Sequence, residues 1–411
     1  MSAESSSTAE KKGHAFWDTQ PVVRDKSSKE LCGGPLEVKT LDQIPKEPYS
    51  IASTFEWWVP NIDSDDDLKE IYELLRDNYV EDDESMFRFN YSFAFLRWAL
   101  TPPGYVKDWH IAVRRKKDQK VLAFISGIPI TMRLEKTNPN TSQEEFIEQR
   151  ICEINFLCIH KMLREKRLAP ILIKEVTRRV NLLDMWQAIY TAGVVLPTPF
   201  ASAQYFHRSL NPEKLVAIRF SRIPPQFQKF QNPLQMMKRN YAVPEQHKVP
   251  HFRAMVESDI PAVTAMLSHT LETFLVAPRF NEEEVRHWLL PRESVVFSYV
   301  VEDPKTHTAV DFVSFYSLPS TVIGNSKFQD LRAAYTFYYS ANTLPLKALI
   351  LEALVAAKHH DFDVMNTLDI MQNQEFITDL KFGPGDGNLH YYFYNWAMRQ
   401  CNPTEVGLVM L

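Results

Sequence analysis

The stretch Glu153–Arg179, EINFLCIHKMLREKRLAPILIKEVTRR, decides how the rest of the chain is interpreted. Its first part, Ile154 to Ile159, is an apolar run with the length and β-branched content of a buried strand. A basic segment from Lys161 to Ala169 follows and predicts a loop. From Pro170 onward, the three- and four-residue spacing is typical of a helix that carries proline in its first turn.

A strand that leads through a basic loop into a helix is a candidate anion site. The unpaired N–H groups and the dipole of a first helical turn favour a phosphate, and Arg164, Lys166 and Arg167 add positive charge. The alternative is a solvated basic helix cap. Residues 156–158 favour the anion site, because they end the apolar strand where the loop begins, and N–H groups in such surroundings bind an oxyanion strongly.

Length, charge and cysteine content limit the kind of protein that this can be. A chain of 411 residues exceeds the size at which one core keeps growing, so two domains or one duplicated domain are expected. The net charge of -5 argues against a general nucleic-acid binder. The four cysteines show neither CxxC spacing nor a zinc pattern, and reduced thiols fit a cytoplasmic protein. Residues 1–13 are polar, which predicts a disordered tail and neither a signal peptide nor a membrane span.

The same order of predicted elements occurs twice along the chain. Each part gives a helix, three strands, a helix and a strand, which predicts two pseudo-symmetric halves, residues 14–210 and 211–411. The first set is a helix near 68–75, a hairpin of strands 109–114 and 120–134, a central strand 151–159, the helix from 170 and a strand 186–191. The second set is a helix 260–274, strands 295–301, 310–316 and 333–339, a helix 345–359 and a strand 362–366. Residues 25–60 show no sustained period and predict an irregular connection.

Two long motifs carry a resemblance to a known family. The run Glu153–Arg179 and the segment KFGPGDG at Lys381–Gly387 resemble the two signatures of eukaryotic glycylpeptide N-myristoyltransferases, and the similarity extends from about His14 to Leu411. The element order is also similar to that of the acyl-CoA N-acyltransferase superfamily. The resemblance implies an α/β (α+β) fold, a duplicated acyl-CoA N-acyltransferase-like unit whose halves surround a continuous, twisted, mostly antiparallel sheet. It further implies transfer of myristate from myristoyl-CoA, a co-substrate, to the N-terminal glycine amine of proteins, with no other cofactor and no metal.

The resemblance also implies two sets of binding residues. The acyl-CoA set is Phe16, Trp17, Leu157, Cys158, Ile159, Arg164, Glu165, Lys166, Arg167, Leu168 and Ala169, with the two aromatic residues near the nucleotide. The peptide set is Val80, Glu81, Asp82, Asp83, Phe87, Phe89, Tyr205, His207, Tyr316, Ser320, Leu331, Tyr335, Asn366, Asp386, Gly387 and Leu389. Glu165 departs from the family pattern, in which Ser is common. The residues themselves indicate a buried hydrophobe at Cys158, because it lies in an apolar strand.

The last residues, 406–411, are apolar up to the terminus, which predicts that the chain end is buried together with its carboxylate. A buried carboxylate needs a partner or a purpose. In the resembled family the terminal carboxylate, here that of Leu411, takes a proton from the glycine ammonium. The backbone N–H groups of Phe156 and Leu157 would form the oxyanion hole, and Thr191 with Asn155 would help to hold the amine.

The loop of the second half that corresponds to the basic loop, residues 340–344, contains no Arg or Lys. The first half is therefore expected to bind acyl-CoA and the second half to bind the acceptor peptide. The expected partners are proteins with an N-terminal glycine, with the chain acting as a cytoplasmic monomer that could associate with ribosomes. Two alternatives stay open: an N-acetyltransferase that uses a shorter acyl-CoA, and a non-catalytic module that binds acyl-CoA or a lipidated peptide.

Overall fold

The computed structural model describes residues 15–24, 33–80, 86–137 and 144–411. Its strands are β1 Phe55–Trp58, β2 Phe87–Phe89, β3 Ile111–Arg115, β4 Val121–Thr137, β5 Glu144–Ile159, β6 Ala188–Ala192, β7 Ala201–Ser209, β8 Phe252–Ala254, β9 Val276–Pro278, β10 Val296–Glu302, β11 Ala309–Ser317, β12 Ser320–Val322, β13 Asp330–Leu331, β14 Ala333–Ser340, β15 Val364–Leu368 and β16 Gly383–Tyr394. Its α-helices are α1 Asp65–Asn78, α2 Phe93–Leu100, α3 Leu168–Asn181, α4 Pro212–Ala217, α5 Pro225–Gln228, α6 Pro233–Asn240, α7 Ile260–Leu271, α8 Glu282–Leu289, α9 Leu346–His359 and α10 Gln374–Ile377. The predicted tail 1–13, His14 and residues 81–83 lie outside the described residues.

One large sheet organises the molecule. Thirteen strands run in the order β1-β3-β4-β5-β6-β16-β7-β15-β14-β11-β10-β8, with β9 paired to β4, and a small second sheet has the order β13-β12-β2. In the described part of the chain, the pairs β5–β6 and β14–β15 are parallel and the other named strand pairs are antiparallel. The predicted fold class, a mostly antiparallel sheet with helices, is confirmed.

The two parallel pairs mark the two repeated units. In each unit a long strand leads into a helix that crosses over to a parallel neighbour, as β5-α3-β6 in the first unit and β14-α9-β15 in the second. Each long strand also carries an irregularity just before its end. Residues 156 and 157 face a single residue of β4, and residues 337 and 338 face a single residue of β11. These are β-bulges, each followed by two residues before the strand ends.

The units are interlocked rather than separate. Strand β16, from the end of the chain, lies between β6 and β7 of the first unit. Strand β9 from the second unit pairs with β4 of the first. One buried apolar cluster accordingly contains residues from both units, while a second cluster lies beneath α3. The C-terminal segment can therefore reach the middle of the sheet.

Helix α1 begins with a capped, acidic first turn. The Ser64 hydroxyl accepts a hydrogen bond from the Asp67 N–H at 3.4 Å, and Asp65, Asp66 and Asp67 occupy the first turn, where negative charge is favoured. The predicted hairpin is β3–β4, shifted by one to three residues. Among the described residues, no helix has both the length and the apolar character needed to cross a membrane.

Two predictions of local structure are wrong, and the glycine-rich segment near the C-terminus has a structure that its composition does not suggest. The predicted loop 161–169 contains a 3-10 helix, Lys161–Lys166, and α3 begins at Leu168, before the predicted start. The connection predicted as irregular contains β1, whose aromatic residues pair with β3. The glycine-rich segment 383–387 is the beginning of β16, because pairing with β7 outweighs the low strand preference of glycine and proline. The pairing shifts register between Pro384 and Asn388, so the segment remains irregular there.

Candidate active site

The site forms where strands β5 and β6 separate. They pair only at Cys152 with Ala188 and at Glu153 with Ile189, so the following residues of both strands face a cleft. The bulge in β5 lies in this cleft and gives Phe156 a left-handed φ of 53°. The N–H group of Phe156 donates to the side-chain Oδ1 of Asn155 at 2.8 Å instead of to the β4 ladder.

An apolar cavity of about 310 Å³ fills the space between these strands and helix α3. Its walls comprise Tyr79, Ile125, Cys152, Ile154, Asn155, Phe156, Leu157, Ile173, Val176, Thr177, Val180, Asn181, Trp186, Gln187, Ala188, Tyr190, Thr191, Ala192, Val194, Leu196 and Tyr394, together with Trp17. Most of these side chains are aliphatic or aromatic, so the cavity suits a long acyl chain. Asn155 and Thr191 lie on its two opposite strands.

The segment of residues 15–24, near the N-terminus, forms one side of this cavity through Trp17. The indole of Trp17 stacks on the ring of Tyr190, with centroids 5.7 Å apart, and Tyr190 stacks on Tyr392 at 5.1 Å. Phe16 packs edge-on against Trp17 at 5.2 Å. The family resemblance implies that these two aromatic residues lie near the nucleotide; in the structure, Trp17 lies at the wall of the apolar cavity.

The basic segment is held by the end of helix α1. The N–H of Lys161 donates to Asn78 Oδ1 at 3.0 Å, and Arg164 Nη2 donates to the backbone oxygen of Asn78 at 2.6 Å. Arg167 adopts a left-handed φ of 56° and precedes α3 without capping it through its side chain. Glu165, Lys166 and Arg167 are exposed. A basic surface therefore surrounds a helix N-terminus that has no side-chain cap, an arrangement suited to phosphates.

The matching loop of the second unit already contains an internal anion. The carboxylate of Asp311, which is fully buried, accepts hydrogen bonds from the N–H groups of Asn342 at 2.6 Å, Thr343 at 2.8 Å and Leu344 at 3.4 Å. It also accepts from the Thr343 hydroxyl. These N–H groups precede α9 as the basic segment precedes α3. The second unit therefore satisfies these N–H groups with its own carboxylate, whereas the start of α3 in the first unit has no side-chain cap.

The C-terminus reaches the cleft. Asn155 Nδ2 donates to the terminal carboxylate of Leu411, to its oxygen O, at 2.7 Å. Tyr391 Oη donates to the Leu408 oxygen at 3.1 Å, and Tyr338 Oη accepts from the Val409 N–H at 3.1 Å. The predicted burial of the chain end agrees with this geometry: Leu408 is buried and Leu411 is partly buried.

Gly407 allows the C-terminal segment to lie close to Phe274 and Ala277. A Cβ on Gly407 would lie 2.6 Å from Phe274 Cδ2 and 3.0 Å from Ala277 Cβ. The Gly407 N–H donates to the Val276 oxygen at 2.8 Å, and Val406 forms an isolated parallel bridge with Val276, so this segment runs beside β9.

The residues assigned to the peptide are brought together on neighbouring strands. His207 pairs with Asn366, and Tyr316 pairs with Tyr335, whose rings stack at 5.3 Å. His207 Nδ1 and Asn366 Oδ1 are 2.6 Å apart. Further pairings unite the rest: Tyr335 with Asn366, Tyr205 with Leu368, Leu389 with Ala203, Ser320 with Leu331 and Phe89, and Phe87 with Val322.

The glycine-rich start of β16 lies against this group. A Cβ on Gly385 would come 2.3 Å from His207 Nε2, and one on Gly387 would come 3.5 Å from Tyr205 Cδ2. Asp386 is exposed. Val80 is exposed, and its backbone oxygen accepts from the Phe89 N–H at 3.3 Å. Glu81, Asp82 and Asp83 lie outside the described residues.

Burial sets the charge states around the site. It raises the pKa of the Cys158 thiol to about 12, so this thiol is an inert hydrophobe and the interpretation from sequence agrees with the structure. Burial also lowers the pKa of His207, which keeps its imidazole neutral near pH 7. Among the described residues, no group of three His, Cys, Asp or Glu side chains is arranged to hold a metal ion.

The cavity-facing side of α3 was not among the residues predicted from the sequence. Ile173, Val176, Thr177 and Val180 recur at helical spacing, and this apolar periodicity was the available signal. The ionic residues on the other side of the helix have a structural role instead. Glu175, which is fully buried, pairs with Arg178 and with Arg179, both at 2.7 Å, and accepts the Tyr49 N–H.

An uncapped basic helix N-terminus beside a long apolar cavity is the arrangement expected of an acyltransferase whose donor carries both phosphates and an acyl chain. Comparisons with known proteins agree. Residues 35–203 match the model of the N-terminal domain of myristoyl-CoA:protein N-myristoyltransferase, and residues 217–409 match that of its C-terminal domain.

Two relatives and one solved structure extend along nearly the whole chain. Glycylpeptide N-tetradecanoyltransferase 1 of Arabidopsis thaliana is 50% identical over 98% of this chain and 91% of its own length. The Dictyostelium discoideum glycylpeptide N-tetradecanoyltransferase is 47% identical over 100% of this chain and 95% of its own length. The crystal structure of Saccharomyces cerevisiae N-myristoyltransferase with bound myristoyl-CoA superimposes with a TM-score of 0.87 at 39% identity, covering 97% of this chain and 100% of that one.

The chain therefore belongs to the myristoyl-CoA:protein N-myristoyltransferase family. It is an enzyme, an acyltransferase with the activity of a glycylpeptide N-tetradecanoyltransferase. The resemblance found in the two sequence motifs is thus confirmed.

Proposed function

We propose that the chain transfers myristate from myristoyl-CoA to the N-terminal glycine amine of proteins by direct attack of the amine on the thioester. The observation that carries this proposal is the contact between Asn155 and the Leu411 carboxylate at the edge of the acyl cavity. An activated thioester and a deprotonated amine suffice for the reaction, so no acyl-enzyme is required.

In this mechanism the Leu411 carboxylate removes a proton from the glycine ammonium, and Asn155 and Thr191 hold the amine. Asn155 is suited to the task because its Nδ2 already orients the carboxylate at 2.7 Å. Thr191 lines the opposite wall of the same cavity. A positioned general base contributes about 10² to 10⁴ in rate in other enzymes.

The N–H groups of Phe156 and Leu157 stabilise the negative charge that develops on the thioester oxygen. Support comes from the bulge, which takes both residues out of regular pairing with β4. The Phe156 N–H donates to Asn155 Oδ1 in this structure, so binding the oxyanion exchanges that acceptor for the substrate oxygen. One such donor is worth about 2.7 to 4 kcal/mol in other acyl-transfer enzymes.

Acyl-CoA binds to the first half of the chain, residues 14–210, and the peptide binds largely to the second, residues 211–411. The CoA phosphates contact the basic segment and the start of α3, through Arg164 to Ala169. Support for this division comes from Asp311, since its carboxylate fills the corresponding loop of the second unit. The acyl chain occupies the cavity beneath α3, and Leu157 to Ile159 contact the thioester end.

The peptide follows the strands that carry Tyr205, His207, Tyr316, Tyr335 and Asn366. A neutral His207 beside Asn366 and the Ser320 hydroxyl recognise a Ser or Thr of the substrate by hydrogen bonds. Asp386 attracts basic residues further along the peptide, as do Glu81 to Asp83. We further infer a monomeric enzyme of the cytoplasm, a compartment that suits the free thiols of Cys152, Cys158 and Cys401. Action on nascent chains near ribosomes would fit its substrates.

The test is the mass of a synthetic octapeptide after incubation with the protein and either myristoyl-CoA or acetyl-CoA. A tetradecanoyl adduct on a Gly-initiated peptide, without one on the Ala-initiated analogue, is expected. The preference follows because a Cβ on the acceptor would meet the walls around Thr191 and Gly193. Faster acetylation would favour the short-chain alternative, and comparable acylation of alanine would contradict the glycine assignment.

A further inference from the structure

A second buried carboxylate lies on the same face of β5 as Asn155. Glu153 precedes Asn155 by two residues, so the two side chains point to the same side of the strand. Glu153 is 8% exposed, and its carboxylate makes no hydrogen bond or ion pair with any residue that the structure describes. A carboxylate without a partner is costly to bury, so its retention there calls for a role.

Glu153 and Leu411 line one cavity of about 30 Å³, which is separate from the acyl cavity that Asn155 lines. This volume is enough for a water molecule, which requires about 10 to 15 Å³. The remaining walls are Pro102, Ile128, Pro129, Ile130, Arg279, Phe280, Glu284, Trp288, Phe337, Tyr338, Leu408 and Val409. The cavity thus brings Leu411 and Glu153 to one space, together with Glu284 on α8 and Arg279 beside β9.

The other titratable groups around Glu153 leave its charge uncompensated. Burial raises the pKa values of Cys152, Tyr338 and Tyr391, so all three are neutral near pH 7. The two tyrosine hydroxyls are engaged by the backbone of residues 408 and 409.

The two charged residues at the far side of the cavity, Arg279 and Glu284, have polar partners of their own. Arg279 pairs with Glu148 at 3.1 Å and with Glu272 at 3.0 Å. Glu284, at the start of α8, accepts the Asn281 N–H at 2.9 Å. Burial raises the pKa of Glu284 as well, so this side contains no strong base.

We propose that Glu153 is a proton-relay residue, which accepts through water in this cavity the proton that the Leu411 carboxylate removes from the substrate ammonium. The inference rests on the proposed role of Leu411 as base. One ammonium N–H bond breaks and an O–H bond forms on the terminal carboxylate. The proton then passes to Glu153 and leaves past Arg279 and Glu284, which restores the terminal carboxylate for the next cycle. No electron transfer is involved.

The relay reduces the effect of the large pKa difference between the substrate ammonium and the terminal carboxyl group. An α-carboxyl has a pKa of about 3.3 to 3.7 and an α-amino group one of about 7.7 to 8.0, so the terminal carboxylate alone is a weak acceptor for this proton. Burial raises the pKa of Glu153 to about 7. Passing the proton to Glu153 therefore removes most of the unfavourable difference.

The experiment compares Glu153→Gln with the wild-type chain in single turnover, at saturating myristoyl-CoA and Gly-initiated octapeptide, between pH 6 and 9. We expect the rate constant of acyl transfer to fall by about 10- to 100-fold, which is at or below the usual range for acid–base groups because the group acts through another. The dissociation constant for myristoyl-CoA should not change. The wild-type rate should show an inflection near pH 7 that Glu153→Gln lacks, and Glu153→Asp should restore part of the rate.

A wild-type rate in Glu153→Gln would overturn the relay, and so would a lower rate with the wild-type pH profile, since that would indicate a structural role. Deleting Leu411 separates this inference from the proposed base. If the deletion leaves the rate unchanged, the base and the relay both fail; if it abolishes transfer while Glu153→Gln does not reduce it, only the relay fails. In the background lacking Leu411, Glu153→Gln should add no further loss, because both changes interrupt one pathway. Additive losses would contradict the relay.

Discussion

The side-chain amide of Asn155 donates a hydrogen bond of 2.7 Å to the terminal carboxylate of Leu411, across 256 residues of sequence. The same side chain accepts the Phe156 N–H through Oδ1 at 2.8 Å. Asn155 therefore joins the proposed base to the proposed oxyanion donor. One amide fixes the orientation of both.

Replacing Asn155 by alanine should slow acyl transfer more than it weakens acyl-CoA binding. A hydrogen bond to a charged group contributes about 1.5 to 3 kcal/mol, which corresponds to a rate loss of about 10- to 150-fold if the contact orients the base. Stopped-flow measurement of acyl transfer and a direct titration with myristoyl-CoA separate the two effects. An Asn155→Asp variant should be slower still, because its carboxylate repels that of Leu411. A drop in acyl-CoA affinity with an unchanged transfer rate would contradict this role.

Gly407 should tolerate no side chain. In Gly407→Ala the new Cβ would clash with Phe274 and Ala277, so either β9 or the terminal segment must move. We expect a loss of about 1 to 3 kcal/mol in the free energy of unfolding, the usual cost of overpacking, together with a slower transfer step. Urea unfolding and single-turnover rates would test this. Wild-type stability and rate would show that the segment shifts without consequence.

Arg167 combines a charge with an unusual backbone conformation, and two substitutions separate these contributions. Both Arg167→Ala and Arg167→Gly remove the charge and should weaken myristoyl-CoA binding, particularly at low salt. Glycine accepts the left-handed φ of 56° without the penalty of about 1 kcal/mol that alanine pays there. Isothermal titration should thus show weaker binding by both variants, and thermal unfolding should show a higher stability for Arg167→Gly than for Arg167→Ala, because arginine and alanine pay the same left-handed penalty. Unchanged affinity in both would remove Arg167 from the phosphate site.

Much of this architecture could be predicted because the central elements have strong patterns. The apolar run of β5, the periodicity of α3 and the acidic cap of α1 are local signals, and the structure has all three. The left-handed Phe156 is different: nothing in the preferences of phenylalanine indicates it, and it exists because residues 156 and 157 face one residue of β4. The hydrogen bond from the Lys161 N–H to Asn78 Oδ1 joins residues that are distant in sequence, and no local pattern reveals such a contact.

The strand β7 illustrates the same limit. Its sequence, ASAQYFHRS, mixes small, polar and aromatic residues without regular alternation, and the pairing with β15 and β16 makes it a strand. The peptide residues Tyr205 and His207 could be proposed only from the family motif. Their arrangement around Asn366 follows from the order of strands in the sheet.

Stability should fall in mild acid through buried imidazoles. Burial lowers the pKa of His110 to about 4, and that of His287 to about 4. An unfolded histidine has a pKa of about 6.5, so the unfolded chain binds more protons between pH 6.5 and 4, and the free energy of unfolding falls as the pH drops through that window. Within this window, the free energy of unfolding falls by about 1.4 kcal/mol per pH unit for each imidazole.

Urea unfolding of wild type and His110→Gln at several pH values would isolate one of these contributions. The comparison is needed because Glu153, whose pKa is raised, acts in the opposite direction up to about pH 7. The variant should show a weaker loss of stability between pH 6.5 and 5. An identical pH dependence in both proteins would mean that His110 is not held neutral.

The role of the terminal carboxylate as base can be tested by the single-turnover rate of tetradecanoyl transfer to a Gly-initiated octapeptide. The rate is measured with the intact chain, the chain lacking Leu411 and Leu411→Ala. The account predicts a loss of about 10² to 10⁴ on deletion, with acyl-CoA affinity retained. Leu411→Ala, which keeps the carboxylate, should remain close to the intact chain. Transfer at the intact rate without Leu411 would contradict the account.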